Sequence, residues 1–190
     1  AALWSLEQGD IETMWQRYDA DIQPDVTKSL PINVLTDGAS LLYRAELAGL
    51  TVPKERWLQI SAYAKQFFPK SSIGFIDIHA ALAHAMAGDG DALTAFIDAP
   101  NPVTGDLVVP VADAYRALAV QNWAKGASLL VSAMGDHARL GGSRAQRDLL
   151  EFSLLGALLK LGQDAEAKRL LALRRPALQG THALHGLTQH

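Results

Sequence analysis

The chain has 190 residues, 49% apolar and 19% charged, with a net charge of −3 and no Cys. That balance excludes a disordered chain and a highly charged coiled coil, and it leaves ample length for one buried core. The missing Cys excludes disulfide scaffolds, thiolate zinc sites and cysteine nucleophiles, and a pI of 6.1 offers no basic footprint for nucleic acid.

Ala (31) and Leu (29) together make up about a third of the residues, and both head the helix propensity ranking. The first residues, Ala1-Ala2-Leu3-Trp4-Ser5-Leu6-Glu7, form an apolar run with no cap ahead of it. This reads as a chain that starts inside a helix, without the pattern of a signal peptide. Gly9-Asp10 then marks a turn, and Ile11, Met14, Trp15 and Tyr18 follow at i, i+3, i+4 and i+7, one helical stripe. A helix is predicted from about Pro31 to Ala48, stopped by Gly49, and another from about Pro53 to Phe68, stopped by Pro69.

Gly88-Asp89 repeats the first turn. Leu107-Val108-Val109 is the one β-rich stretch, and Pro110 breaks it after three residues. Gln121-Asn122 is a third such turn, followed by the stripe Trp123, Ala127, Leu130 and Val131. Leu150, Leu154, Leu155, Leu158 and Leu159 make the next helix apolar on more than one side, as expected of a helix sandwiched between neighbours. Gly162-Gln163 is the fourth turn, and Ala165, Ala167, Leu170 and Leu171 follow it. The last three turns lie 33 and 41 residues apart (88 to 121 to 162), within the range of helix-hairpin repeats.

These periods predict an all-α, tetratricopeptide-like stack of helical hairpins forming an α-solenoid. The structural alternative is a helical bundle in which the similar turns are coincidental. The repeat domain is expected over residues 1–176, with a loosely ordered tail over 177–190 that carries His182, His185 and His190. No run of about 18 apolar residues exists, so no membrane span is expected.

Several words are more specific than repeat packing requires. Leu35-Thr36-Asp37-Gly38-Ala39-Ser40-Leu41-Leu42-Tyr43-Arg44-Ala45-Glu46-Leu47-Ala48-Gly49, then Arg56-Trp57, Phe75-Ile76-Asp77-Ile78-His79-Ala80-Ala81 and Val109-Pro110-Val111-Ala112 are of this kind. Gly141-Gly142-Ser143-Arg144-Ala145-Gln146-Arg147-Asp148 is the strongest. In these words and in their order, residues 1 to 176 resemble the C-terminal half of the tetratricopeptide repeat protein thirty-eight family. Ile76, where a polar residue is common, and the Pro100-Asn101-Pro102 linker depart from that pattern. The resemblance implies a helical-repeat protein without established catalytic residues, and a longer parent chain.

Asp37, Ser40 and Arg44 fall at i, i+3 and i+7 on one face of an otherwise apolar helix. That row suits a buried network bridging repeats or, alternatively, a ligand groove. In the Gly-Gly-Ser-Arg-Ala-Gln-Arg-Asp word, the two glycines end one helix, and Ser143 with Gln146 makes a capping box for the next. A phosphate cradle is the sharper reading of that word, but the strand and Lys-Ser/Thr of a P-loop are lacking. Asp77, His79 and His84 raise the thought of a metal, yet their two- and five-residue spacings share no helix face, which favours satisfied core histidines. Residues 139 to 176 hold eight Arg/Lys against four Asp/Glu, a mildly basic end best read as a solvated face.

The leading expectation is therefore a cytoplasmic, non-enzymatic interaction module for a protein or peptide, with a concave groove that includes Tyr43, Tyr63, Tyr115 and Arg44. No cofactor, metal, nucleic acid or membrane partner is expected, and an exposed first helix bearing Trp4 and Leu6 could support self-association. The alternative is a small-molecule or enzymatic site. The candidate binding residues are Asp37, Tyr43, Arg44, Asp77, His79, Gln146, Arg147 and Asp148. If the alternative holds, Asp37, Arg44, Asp77, His79, Gln146, Arg147 and Asp148 should converge on one solvent-connected pocket.

Overall fold

A computed structural model of the chain describes residues 1–173, and among these the fold is entirely helical. The helices are α1 (Ala2–Glu7), α2 (Ile11–Arg17), α3 (Pro31–Leu47), α4 (Lys54–Phe67), α5 (Gly74–Ala87) and α6 (Gly90–Asp98), followed by α7 (Gly105–Ala119), α8 (Trp123–Met134), α9 (Arg144–Lys160) and α10 (Asp164–Ala172). A wide helical turn, Tyr18–Ile22, prolongs α2, and a tight one, His137–Leu140, precedes α9. The expected tail, 177–190, lies outside the described residues.

The four repeated turns share one geometry. Gly9, Gly88, Gln121 and Gly162 all adopt positive φ, between 59° and 75°. The next residue in each case donates its N–H back to the carbonyl five positions earlier: Asp10 to Ser5, Asp89 to His84, Asn122 to Ala117 and Gln163 to Leu158, at 2.8–2.9 Å. This is the Schellman closure of one helix. Asp10, Asp89 and Asn122 then cap the following helix, accepting from the N–H groups of Thr13, Ala92 and Lys125. One dipeptide thus ends a helix, reverses the chain and starts the next.

α3 and α5 occupy the centre. α3 is buried from Val34 to Ala45 except at Asp37, and it packs against α1, α4, α5 and α9. α5 is buried over almost its whole length between α3, α4, α6 and α7. Leu35, Leu42, Ile60 and Leu82 are fully buried there, each contributing about 1.5–3 kcal/mol of transfer free energy. α9 packs on α8 and α10 and also returns to α3. A Cβ on Gly156 would stand 2.7 Å from the tip of the Leu47 side chain, so the two helices approach closely here. The packing of α9 on α3 is additional to the neighbour-to-neighbour packing of a simple repeat stack, and at the start of α9 it leaves a corner with α1 and α3.

Leu107, Val108 and Val109 belong to α7, not to a strand, and Pro110 lies inside that helix. Burial of Leu107, Val108 and Val111 outweighs the few tenths of a kcal/mol by which β-branched residues disfavour helix. The hydrogen bond that Pro110 cannot donate would reach the carbonyl of Asp106, an exposed residue where water can serve instead.

Candidate functional site

The polar row on α3 faces the corner. Asp37, Ser40, Leu41 and Arg44 line a cleft of about 260 Å³, with Ala2 and Leu3 from α1, Ile22, and Ser143 and Gln146 from the start of α9. The capping box of α9 is complete: Gln146 N donates to Ser143 Oγ at 3.4 Å, and Ser143 N donates to Gln146 Oε1 at 2.7 Å. That engages the carbonyl end of Gln146 and leaves its amide NH₂ as the group available to the cleft. Gly142, at φ 77°, lies so close to Phe75 that a Cβ would come within 2.5 Å of the ring. The glycine pair therefore serves helix termination and close packing.

Behind Ser40 lies His79, fully buried on α5. Its Nδ1 stands 2.7 Å from the carbonyl oxygen of Phe75, one turn earlier. A carbonyl can only accept, so Nδ1 carries the proton and donates. Nε2 is then a lone pair, and the Ser40 hydroxyl, 3.0 Å away, donates to it. The Phe75 ring packs edge-on at 4.9 Å and fixes the imidazole further. Burial drives His79 down to about 4, and the positive charge of Arg44 acts in the same direction, so the ring is neutral at pH 7. Asp37 is the exposed member of the row, yet partial desolvation lifts its carboxyl above the usual range.

A second Ser–His pair sits one helical turn and a half along α5. Ser61 Oγ is 2.8 Å from His84 Nδ1, and both residues are buried. His84 Nε2 is buried without a hydrogen-bond partner, and the ring packs 5.6 Å from Phe96. Burial also lowers His84 to about 4, with Asp89 opposing and Lys65 assisting.

The other candidates lie apart. Tyr43 is buried in the core, edge-on to Tyr115 at 5.9 Å, and burial raises both phenols. These two tyrosines therefore line no groove, because α3 is covered on the face that carries Tyr43. Tyr63 packs against Phe67 at 4.4 Å on α4. Asp77 is wholly buried and clamps a loop, accepting from Ser71 Oγ at 2.5 Å and from Ser72 N at 2.9 and 3.1 Å. Burial raises its pKa, and these bonds oppose the rise. Ser71 in turn accepts from Asn101 N at 2.8 Å, which ties in the Pro100-Asn101-Pro102 linker. Arg147 and Asp148 line a different cleft, between α8, α9 and α10, and Arg147 also donates to the Gly142 carbonyl at 2.6 Å. Asp77, His79 and His84 thus have separate partners. Among the described residues no group of three His, Asp or Glu could hold a metal ion, and the three tail histidines lie outside them.

No family model matches the chain, and no solved structure matches it. Among the described residues, no helix is long and apolar enough to cross a membrane. Neither Ser–His pair was visible in the sequence. Ser40 and His79 are 39 residues apart, and no local spacing rule connects them. The available signals were a hydroxyl in the polar row of α3 and a lone histidine on an apolar helix.

Proposed function

We propose that this chain binds a small polar ligand in the cleft at the α1–α3–α9 corner. The observation that carries this reading is a partial convergence: Asp37, Ser40, Arg44 and Gln146, from two helices far apart in the chain, line one solvent-connected cleft, whereas Tyr43, Asp77, Arg147 and Asp148 lie elsewhere. Three of them are sequence candidates, and a fourth candidate, His79, stands one hydrogen bond behind Ser40. The lining offers carboxylate and hydroxyl acceptors, guanidinium and amide donors, and an apolar wall of Ala2, Leu3, Ile22 and Leu41. Such a set suits a compact ligand that has both a polar group and a short apolar portion. The test is an amide ¹H–¹⁵N titration with a library of small acids, amides and esters. Perturbations should cluster at Leu3, Leu41, Ser143 and Gln146, and the reading fails if no compound shifts them at millimolar concentration.

A second reading, a tetratricopeptide-like module for a protein or peptide partner, is supported by the four turns of like backbone geometry and by Trp4, which is 63% exposed on α1. Self-association through α1 belongs to the same reading. Sedimentation of the chain and of Trp4→Ala across a concentration series tests it. A dimer that Trp4→Ala dissolves supports it, and a monomer throughout removes the self-association.

A further inference from the structure

We infer that Ser40 is a nucleophile and His79 its general base, which gives the cleft an acyl-transfer activity toward small activated esters. This deepens the ligand-site reading and rests on it. The parts required are a hydroxyl within hydrogen-bond reach of a basic nitrogen, a third group that orients the base, and access for substrate. All three are present: Ser40 Oγ donates to His79 Nε2 at 3.0 Å, the Phe75 carbonyl holds Nδ1–H at 2.7 Å, and Ser40 lines the cleft. The Ser61–His84 pair has a similar contact distance but does not line that cleft. Ser61 is 2% exposed against 9% for Ser40, and with no place on the cleft its pair acts as an internal control.

Ser40 Oγ attacks the acyl carbon while its proton passes to His79 Nε2, and the carbon–oxygen bond to the leaving group breaks. The leaving group departs as its anion and carries off the His79 proton through the cleft, because the buried ring itself meets no solvent. Water then attacks the acyl-Ser40 ester and gives one proton to His79, which passes it to the departing Ser40 oxygen, so that the acid and the Ser40 hydroxyl are freed. Gln146 and Arg44, whose guanidinium packs over the Phe152 ring at 4.8 Å, line the same cleft and make its polar wall.

The orienting group here is a carbonyl, and Arg44 opposes a second positive charge nearby, so His79 is a weak base. A weak base takes the proton late, which favours an electrophilic acyl carbon and a leaving group that needs no protonation. Phenyl-type esters meet both conditions. Alkyl amides meet neither.

The experiment treats the 190-residue chain with dimethyl fluorophosphate and maps the adduct by peptide mass spectrometry, alongside p-nitrophenyl acetate turnover. The expected result is a single adduct on Ser40, and p-nitrophenolate release that Ser40→Ala reduces about 100-fold or more. The rate should stay flat from pH 8 to about 5, because His79 remains unprotonated there. His79→Gln should abolish labelling, with circular dichroism confirming the fold. If that variant unfolds, the wild-type adduct map decides alone. No adduct, an adduct elsewhere, or full activity in Ser40→Ala overturns the inference. Amide shifts at the cleft without a Ser40 adduct sink this inference and leave the ligand site standing, whereas the absence of both sinks the two together.

Discussion

Helix α5 presents two serine–histidine pairs, and their difference is instructive. His79 is held on both nitrogens, by Phe75 and by Ser40, and its serine opens on a cleft. His84 is held on one nitrogen only, its other nitrogen is buried unpartnered, and its serine is only 2% exposed. Burial keeps both rings neutral. Similar side-chain chemistry therefore has different uses: a sealed pair ties α4 to α5, whereas the open pair ties α3 to α5 and also meets the cleft.

The largest way to probe this contrast is acid. Each histidine binds a proton in the unfolded chain near pH 6.5 but only near pH 4 when folded. The unfolded state therefore holds more protons within that window, and stability falls as the pH drops through it. At about 1.4 kcal/mol per pH unit, each ring costs roughly 3 kcal/mol by pH 4. Asp89 and Lys65 at His84, and Arg44 at His79, tune this. Urea midpoints from pH 7.5 to 4 should show the loss, and His79→Gln or His84→Gln should each remove about half of it. Asp37, Glu46 and Asp77, raised by burial, act in the opposite direction, so the histidine contribution is read as the difference between the wild type and each variant, and no difference would show that the rings are not buried neutral.

Next in size is Gly142→Ala, which adds a Cβ against the Phe75 ring at a positive φ and should cost about 2–3 kcal/mol by urea unfolding. Because Phe75 positions His79, the imidazole resonances of His79 should move while those of His84 stay in place. Equal movement in both rings would break the distinction between the pairs.

The serines give smaller effects. Ser61→Ala should destabilise by about 1–2 kcal/mol, since it leaves a buried nitrogen unpaired, and Ser40→Ala by about 0.5–1 kcal/mol, since cleft water can replace the hydroxyl. Thermal unfolding distinguishes them, and a larger loss for Ser40→Ala contradicts an open cleft. The smallest change is Asp89→Asn. It keeps the α6 cap but removes the exposed pair with Lys65, 2.6 Å long, for about 0.5 kcal/mol or less. Asp89 raises His84, so its removal should lower the His84 pKa in an NMR titration and leave His79 unchanged.

The helices and turns were legible because their causes are local. A left-handed residue followed by Asp or Asn specifies both a helix end and the next cap, and Pro31, Gly49, Pro53 and Pro69 bound α3 and α4 within a residue or so. The Ser143–Gln146 box was legible for the same reason. Leu107–Val109 misled because its β propensity is weaker than the burial that α7 provides. The site was half legible. Spacing put Asp37, Ser40 and Arg44 on one face of α3, but what covers that face depends on α9, which arrives from the far end of the chain. Tyr43 and Asp77 carry the same polar or aromatic signal in sequence, yet one fills the core and the other clamps a loop.

The most direct test of the open pair is the tautomer of His79. Two-bond ¹H–¹⁵N correlation of the histidine rings at pH 7 should show His79 protonated on Nδ1 with a bare Nε2, unchanged on lowering the pH to 5.5. A ring protonated on Nε2 would contradict the account, because Ser40 would then accept a hydrogen bond and no basic nitrogen would face it.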